Sequence, residues 1–475
     1  MAVSLGRNFL VAVNSDGVVF TCGQNNYGQL GCSLPNPNFP QRALPGPIDL
    51  NSVADQGTAI TVSAGTWHAA CVTRKGSVYT WGNGRHGQLG CAMVRSQSIP
   101  QCVYSAAMGQ SPATMVACGR NHTLILTAAG HVWGCGQNAW FQVGVQSMAN
   151  PDAIDRSNIV VLTKMPPSRF DCGNGDTEIG FIAVGLFHSV AVGKHNGVLW
   201  TWGNGQGGCL GHGNVDVHQL GKVPTAIPRT TFGEDVVSAA ATDSTTMVVS
   251  ASGVLWASGV SRRHTMGLGA RTECHTFHRV GGDEYFGQGG VRSVTCSAFH
   301  SLIVAQDGSL WVCGSLVSNC LGHDTPGLHF PVPMRMNPAS FNNEAVRVAS
   351  ANDGRSVVVT ASGALYTWGR EPEGSYRGLC FRIVPRPNSY HNISLVPQRN
   401  MHTGVPHVHI GCFGVWNYPL TTDELLAFVM CTHLRLGALS CYAGAPSEML
   451  KCIRTSLSVP TAPRMSRGLW DLLGI

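Results

Sequence analysis

Four histidines stand three residues after a small residue, in Gly65-Thr66-Trp67-His68, Gly119-Arg120-Asn121-His122, Gly185-Leu186-Phe187-His188 and Ser297-Ala298-Phe299-His300. Imidazoles at recurring positions could gather a metal ion or move a proton. Two other strings, Gly82-Asn83-Gly84-Arg85-His86-Gly87 and Gly203-Asn204-Gly205-Gln206-Gly207-Gly208, satisfy the dinucleotide spacing G-x-G-x-x-G. The chain also holds 18 cysteines, enough for a disulfide framework or a zinc site. Each chemistry needs positioning elements that the sequence does not supply. The glycine strings do not open a helix inside a βαβ unit, so no helix N-terminus would meet a pyrophosphate. No Cys-x-x-Cys pair occurs, which argues against zinc ribbons and thioredoxin-like redox sites.

The elements that are supplied come from a recurrence. Copies begin near Val3, Val62, Val116, Ile182, Val237, Val294 and Val348, about 54 to 66 residues apart, too long for helical-hairpin solenoids. Within a copy, short β-branched and aromatic runs alternate with glycine corners, as in Val116 to Cys118, Thr123 to Thr127, Gly130 and Val132-Trp133. One such small sheet cannot bury both faces alone. Seven stacked radially can, and this also shortens their exposed edges. The expected fold class is therefore all-β, a seven-bladed β-propeller over 1–385, with a short, partly helical C-terminal extension over 386–475.

The Gly-x-x-His-[Ser/Thr] element at Gly119 to Thr123 and Gly185 to Ser189, with Trp-Gly…Gly-Gln-Leu-Gly at Trp81 to Gly90 and Cys22 to Gly31, resembles the repeats of the regulator of chromosome condensation family. The resemblance covers roughly 1–385. It departs from the pattern in three copies: Phe9 replaces the first histidine, Ala240 and Asp243 stand for Gly and His in the fifth, and Ala351 and Gly354 do so in the seventh. The chain starts close to its first repeat strand, which suggests a ring closed by one blade shared between Val3 to Val13 and Ala364 to Trp368. In a seven-fold ring the histidines lie far apart. A structural role is expected for Gly65, His68, Gly119, His122, Gly185, His188 and His300, with ring nitrogens bonded to nearby backbone. No catalytic residue, metal or cofactor is expected.

Composition agrees with many tight turns around an apolar interior, with 58 glycines and only 12% charged residues. A net charge of 31 − 25 = +6, spread without a basic run, carries no nucleic-acid signature. No run of about eighteen apolar residues and no export leader is present, so an intracellular location, cytoplasmic or nuclear, is expected, with no membrane span. Cys22, Cys135 and Cys313 occupy the repeat position of Trp81, Trp202 and Trp368, and read as small buried hydrophobes in a reducing compartment. Past 385, Pro385 to Ser389 reads as a linker and Thr421-Thr422-Asp423-Glu424 as the cap of a helix over about 422–437. The sequence carries no signal for an oligomeric state.

Function is then expected in the letters the repeat leaves free. Between Gly and His these read Arg7-Asn8, Thr66-Trp67, Arg120-Asn121, Leu186-Phe187, Ala241-Thr242, Ala298-Phe299 and Asn352-Asp353. Equivalent propeller loops converge on one face. Arg7, Trp67, Arg120, Phe187 and Phe299 have the composition of a protein-binding hot spot, or else tuck beneath neighbouring loops. Founding members of the family are guanine-nucleotide exchange factors for Ran, whose loops use acidic residues. The resemblance thus adds Asp353, and less clearly Asp243, as candidates, and Gln146 to Gly180 as the nearest match by length to a third-blade wedge. The leading expectation is a non-catalytic adaptor or scaffold binding a protein partner through its loop faces. The alternative is an exchange factor for a Ran-like small GTPase.

Overall fold

The computed structural model describes residues 2–369, apart from 33–40, 51–57, 146–156, 174, 214–221, 283, 317–318 and 323–328, together with 381–385 and 393–397. The chain divides into two units, Met1–Pro385 and Arg386–Ile475. Each repeat of the first unit folds as one antiparallel meander whose strands pair in chain order. In the second repeat these strands are Ala59–Ala64, His68–Thr73, Val78–Gly82 and Gln97–Tyr104. The first strands of the seven sheets are Ala2–Gly6, Ala59–Ala64, Ala113–Cys118, Ile179–Val184, Val236–Ala241, Val291–Cys296 and Val346–Asn352. They pack against one another in a closed cycle and so surround the axis of a seven-bladed propeller. The described helices are single turns, such as Ala106–Gly109 and Pro338–Phe341. None is long and apolar enough to cross a membrane.

Alternation along the second strand of each blade explains the stacking. Ala69 and Cys71 of His68–Thr73 join the cluster shared with blade 1, whereas Ala70 and Val72 join the one shared with blade 3. Both faces of the strand are buried because successive side chains point to opposite neighbours. The apolar interior is accordingly seven separate clusters, one at each seam between blades.

Two expectations are corrected. No blade is shared between the ends of the chain: Val3 to Val13 belongs wholly to the first sheet, and Leu365–Gly369 pairs within the last one, with Arg355–Thr360 and Phe381–Pro385. Closure is made by faces. Val3, Leu5 and Leu10 pack on Val357 and Val359. Leu5 N donates to Ser350 Oγ at 3.1 Å, and Asn352 Nδ2 donates to Leu5 O at 2.8 Å. The register of two degenerate copies also differs. Thr245, opposite Gly259, occupies the histidine position of the fifth blade, and Thr242 its glycine position. In the seventh, Arg355 opposite Gly369 and Asn352 take those places. With both marker residues lost, only β-branched residues remained to align, and Val237 sits in a bulge that shifts the count.

The connection from Gln146 to Gly180 contains the fourth strand of blade 3, Ile159–Lys164, and a 3-10 turn, Pro167–Phe170. The described part of the second unit is a strand, Ile393–Pro397. The helix expected over 422–437 lies outside the described residues.

Because closure rests on the face of the first sheet, deleting residues 2–13 is expected to abolish the single cooperative thermal transition of the ring. Calorimetry that shows the truncated chain melting with unchanged enthalpy and midpoint would rule this out.

Candidate interaction face and the seams beneath it

At the six seams from blade 1 through blade 7, a backbone carbonyl of the third-to-fourth strand turn accepts hydrogen bonds from the following blade. Gln29 O receives Trp81 Nε1 at 2.9 Å, and Gln142 O receives Trp202 Nε1 at 3.1 Å and Ser189 Oγ at 2.7 Å. Cys320 O receives Trp368 Nε1 at 2.9 Å and Ser356 Oγ at 2.7 Å. Where cysteine replaces tryptophan, Cys135 Sγ points to Gln88 O at 3.5 Å and Cys313 Sγ to Thr265 O at 3.4 Å. Thr123 and Ser301 hydroxyls complete those two carbonyls at 2.7 Å each. In the fifth blade Ser258 Oγ donates at 2.8 Å to Gly208 O, one residue before the position equivalent to Gln88. The substituted cysteines are thus weak donors to the same carbonyl as well as apolar fillers.

The histidines act on the same hydroxyls. His68 Nε2 meets Thr123 Oγ1 at 2.9 Å, His122 Nε2 meets Ser189 Oγ at 3.0 Å, His188 Nε2 meets Thr246 Oγ1 at 2.8 Å, and His300 Nε2 meets Ser356 Oγ at 2.7 Å. Each link crosses to the next blade. Since Thr123, Ser189 and Ser356 already donate to carbonyls, they accept from the imidazole, which assigns its proton to Nε2. The expected backbone partners are therefore replaced by side-chain hydroxyls. All four rings are fully buried. Burial holds His68, His122 and His300 down at about 3 and His188 at about 4, so the rings are neutral.

The glycine before each histidine is forced by close approach. A Cβ at Gly65 would lie 2.3 Å from Gly119 O, and one at Gly185 would lie 1.9 Å from Thr242 O. At Gly119 a Cβ would meet its own His122 ring at 2.4 Å and Gly185 O at 2.6 Å. The chain there runs against the backbone of the next blade, with Thr66 N donating to Gly119 O at 3.3 Å and Leu186 N donating to Thr242 O at 2.8 Å.

Above the seams, the free loop residues form guanidinium-on-aromatic pairs. Arg7 lies over Trp67 with its central carbon 5.4 Å from the ring centroid, and Arg120 lies over Phe187 at 5.1 Å. Both arginines are exposed and both aromatics half-buried. Phe299 is covered at 4.4 Å by Arg263, and Arg85 lies 5.7 Å from Tyr27, whose ring is 5.4 Å from that of Trp67. Each of the first three pairs joins one blade to the next. Arg263, Arg85 and Tyr27 were not among the sequence candidates; the available signal was their place at the start of the third-to-fourth strand turn, a second set of free letters.

Asp353 is 3.6 Å from Arg7, which ties the seventh loop to the first. Asp243 is exposed and caps its own loop, its Oδ1 accepting from Ser244 N at 3.0 Å and from Thr242 Oγ1 at 3.0 Å. In the corrected register the variable pairs of blades 5 and 7 are Asp243-Ser244 and Asp353-Gly354, so the two carboxylates hold the same loop position. The described residues contain no group of three potential metal ligands, and the described cysteines are free thiols.

Two sequence models, both for the regulator of chromosome condensation (RCC1) repeat, match the chain, one at residues 16–72, 75–126 and 196–249 and the other at 2–29, 59–88 and 115–139. The chain carries RCC1 repeats. This RCC1-repeat propeller is 31% identical over 221 residues to the human E3 ubiquitin-protein ligase HERC2, a stretch that is 46% of this chain and 4% of that protein. The matched regions span less than half the length of the first curated relatives. Among solved structures, human WBSCR16 has a TM-score of 0.63 at 22% identity, covering 76% of this chain and 87% of that one. Prp20p from Saccharomyces cerevisiae, described with its binding to Gsp1p and histones, has a TM-score of 0.60 at 19% identity, covering 78% and 82%. These structures share the fold.

A neutral buried histidine whose folded pKa lies below the ordinary 6.5 contributes its full stability above that value and loses it as pH falls toward about 3. His122→Gln, which keeps a donor near Ser189 without titrating, is expected to flatten the pH dependence of stability below 6.5 by about 1.4 kcal/mol per pH unit. Denaturant titrations between pH 7.5 and 5 measure this, and parallel slopes for both proteins would refute it.

Proposed function

We propose that this RCC1-repeat propeller is a non-catalytic interaction module that captures a protein partner on its Gly-x-x-His loop face. The observation that carries the reading is the set of arginine-over-aromatic pairs, Arg7 on Trp67, Arg120 on Phe187 and Arg263 on Phe299. Arginine and aromatic residues dominate interface hot spots because they combine large apolar contact with directional donors. A stacked guanidinium is also pre-ordered, so less rotamer entropy is lost on docking. The free cysteines of the described residues fit a reducing, intracellular setting.

A second reading, an exchange factor for a Ran-like small GTPase, is favoured by one specific observation. Asp243 and Asp353 stand at the same loop position in blades 5 and 7. Exchange needs no acid, base or nucleophile, only a surface that holds the nucleotide-free GTPase better than the loaded one. Against this, Asp353 is already engaged by Arg7, leaving Asp243 as the more available carboxylate. The fold likeness to Prp20p supports the scaffold of this reading but carries no residue-level match.

Affinity capture compared between the wild type and the Trp67→Ala/Phe187→Ala double variant tests the first reading. Partner recovery is expected to fall at least tenfold, the loss of a hot-spot pair, with the melting temperature lowered only slightly. A large drop in melting temperature would instead make the two rings structural. Nucleotide release from a panel of small GTPases tests the second, and no acceleration at micromolar propeller would exclude it.

A further inference from the structure

An irregularity recurs near the start of the first strands. In blades 2 to 7 the pairing with the second strand slips by one residue, a β-bulge. The displaced residues are Ile60, Thr114, Gly180, Val237, Arg292 and Arg347. A bulge takes its residue off the ladder and re-aims the side chain. Ile60 and Val237 are 43% and 49% exposed as a result. These positions ring the axis at the end opposite the Gly-x-x-His loops, since each first strand begins there and finishes at its loop.

Four of the six are uncharged, and the two charged ones are arginines on neighbouring blades. Beside them a cavity of about 320 Å³ opens between blades 6 and 7, lined by Arg292, Arg347, Ser293, Thr295, Leu302 and Val304 among others. Arg292 Nη2 donates to Val346 O at 2.6 Å and to Arg347 O at 2.8 Å. These bonds fix the guanidinium against blade 7 and use one of its nitrogens, leaving the donors on Nη1 and Nε. Thr295 Oγ1 accepts from Ala351 N at 3.3 Å, which leaves its own proton to donate. No carboxylate among the described residues is ion-paired with either arginine. Burial and the nearby Arg347 charge both press Arg292 below the usual arginine range. An anion placed between the two would screen the repulsion and offset the cost of burying the charge.

We propose that this mouth is an oxyanion site that takes a phosphate group, either the free ion or a small organic phosphate. Guanidinium forks match the tetrahedral oxygens of phosphate in geometry as well as charge. The apolar wall made by Leu302 and Val304 lowers the local dielectric and strengthens the pairing. The site lies at the opposite end of the axis from the proposed docking face and stands independently of it.

Thermal melting of the full chain with sodium phosphate, pyrophosphate or glycerol phosphate, each against sodium chloride at equal ionic strength, tests the proposal. Wild type and Arg95→Gln, which removes an exposed arginine of blade 2, are expected to show a saturable rise in melting temperature. Arg347→Gln is expected to raise the apparent Kd about tenfold or more, as loss of a charged hydrogen-bond donor does. A larger rise with glycerol phosphate than with the inorganic ions indicates an organic phosphate, and the reverse indicates the free ion. Arg347→Lys keeps the charge without the fork and serves if the glutamine variant does not fold, with at least several-fold weakening expected and unchanged binding counting against the site. Equal shifts in all variants, or no saturation in the wild type, would overturn it.

Discussion

The ring depends on a buried backbone carbonyl at each of the six seams between consecutive blades. It belongs to the turn between the third and fourth strands, too far from any strand to be satisfied by a ladder, and a buried acceptor left unpaired costs about 1–3 kcal/mol. The following blade supplies the missing donor. Because an indole and a thiol both reach it, the donor can change from Trp81 to Cys135 while the acceptor stays in place, and in the fifth blade Ser258 turns to the preceding carbonyl, Gly208 O. What looks like erosion of a tryptophan motif is, at Cys135 and Cys313, a change of donor at a constant acceptor.

The histidines reinforce this arrangement from the other side. The neutral imidazoles of His68, His122 and His300 donate to a hydroxyl of the next blade, which in turn donates to the shared carbonyl. The chain His, hydroxyl, carbonyl spans two blades and leaves no titratable group poised for reaction. The residue types that suggested metal or proton chemistry are spent on joining blades, which is why their repeat is periodic while the loop residues above them vary. Chemistry available to a ligand is left in two other places, the arginine-aromatic pairs of the loop face and the arginines of the opposite mouth.

Much of the first unit was legible because glycine and histidine leave sharp marks. Gly65, Gly119 and Gly185 are fixed by the lack of room for a Cβ, and so the copies carrying them align without error. Blades 5 and 7 lost both marks, and their register emerged only from Thr245 opposite Gly259 and Arg355 opposite Gly369. The misplacement hid the equivalence of Asp243 and Asp353. Arg7, Trp67, Arg120 and Phe187 were recognisable as candidates from their loop positions, but the stacking of each arginine on the aromatic ring of the following blade was not.

By itself the sequence determined the all-β class, the number of blades and the faces of the strands, because period and alternation are local properties that one chain states directly. Tertiary structure alone decided how the ends meet, which blade each histidine serves and which arginines stand together. Those relations join residues about 50 to 350 positions apart, and their partners are selected by the curvature of a closed ring, a geometric condition imposed on all seven blades at once.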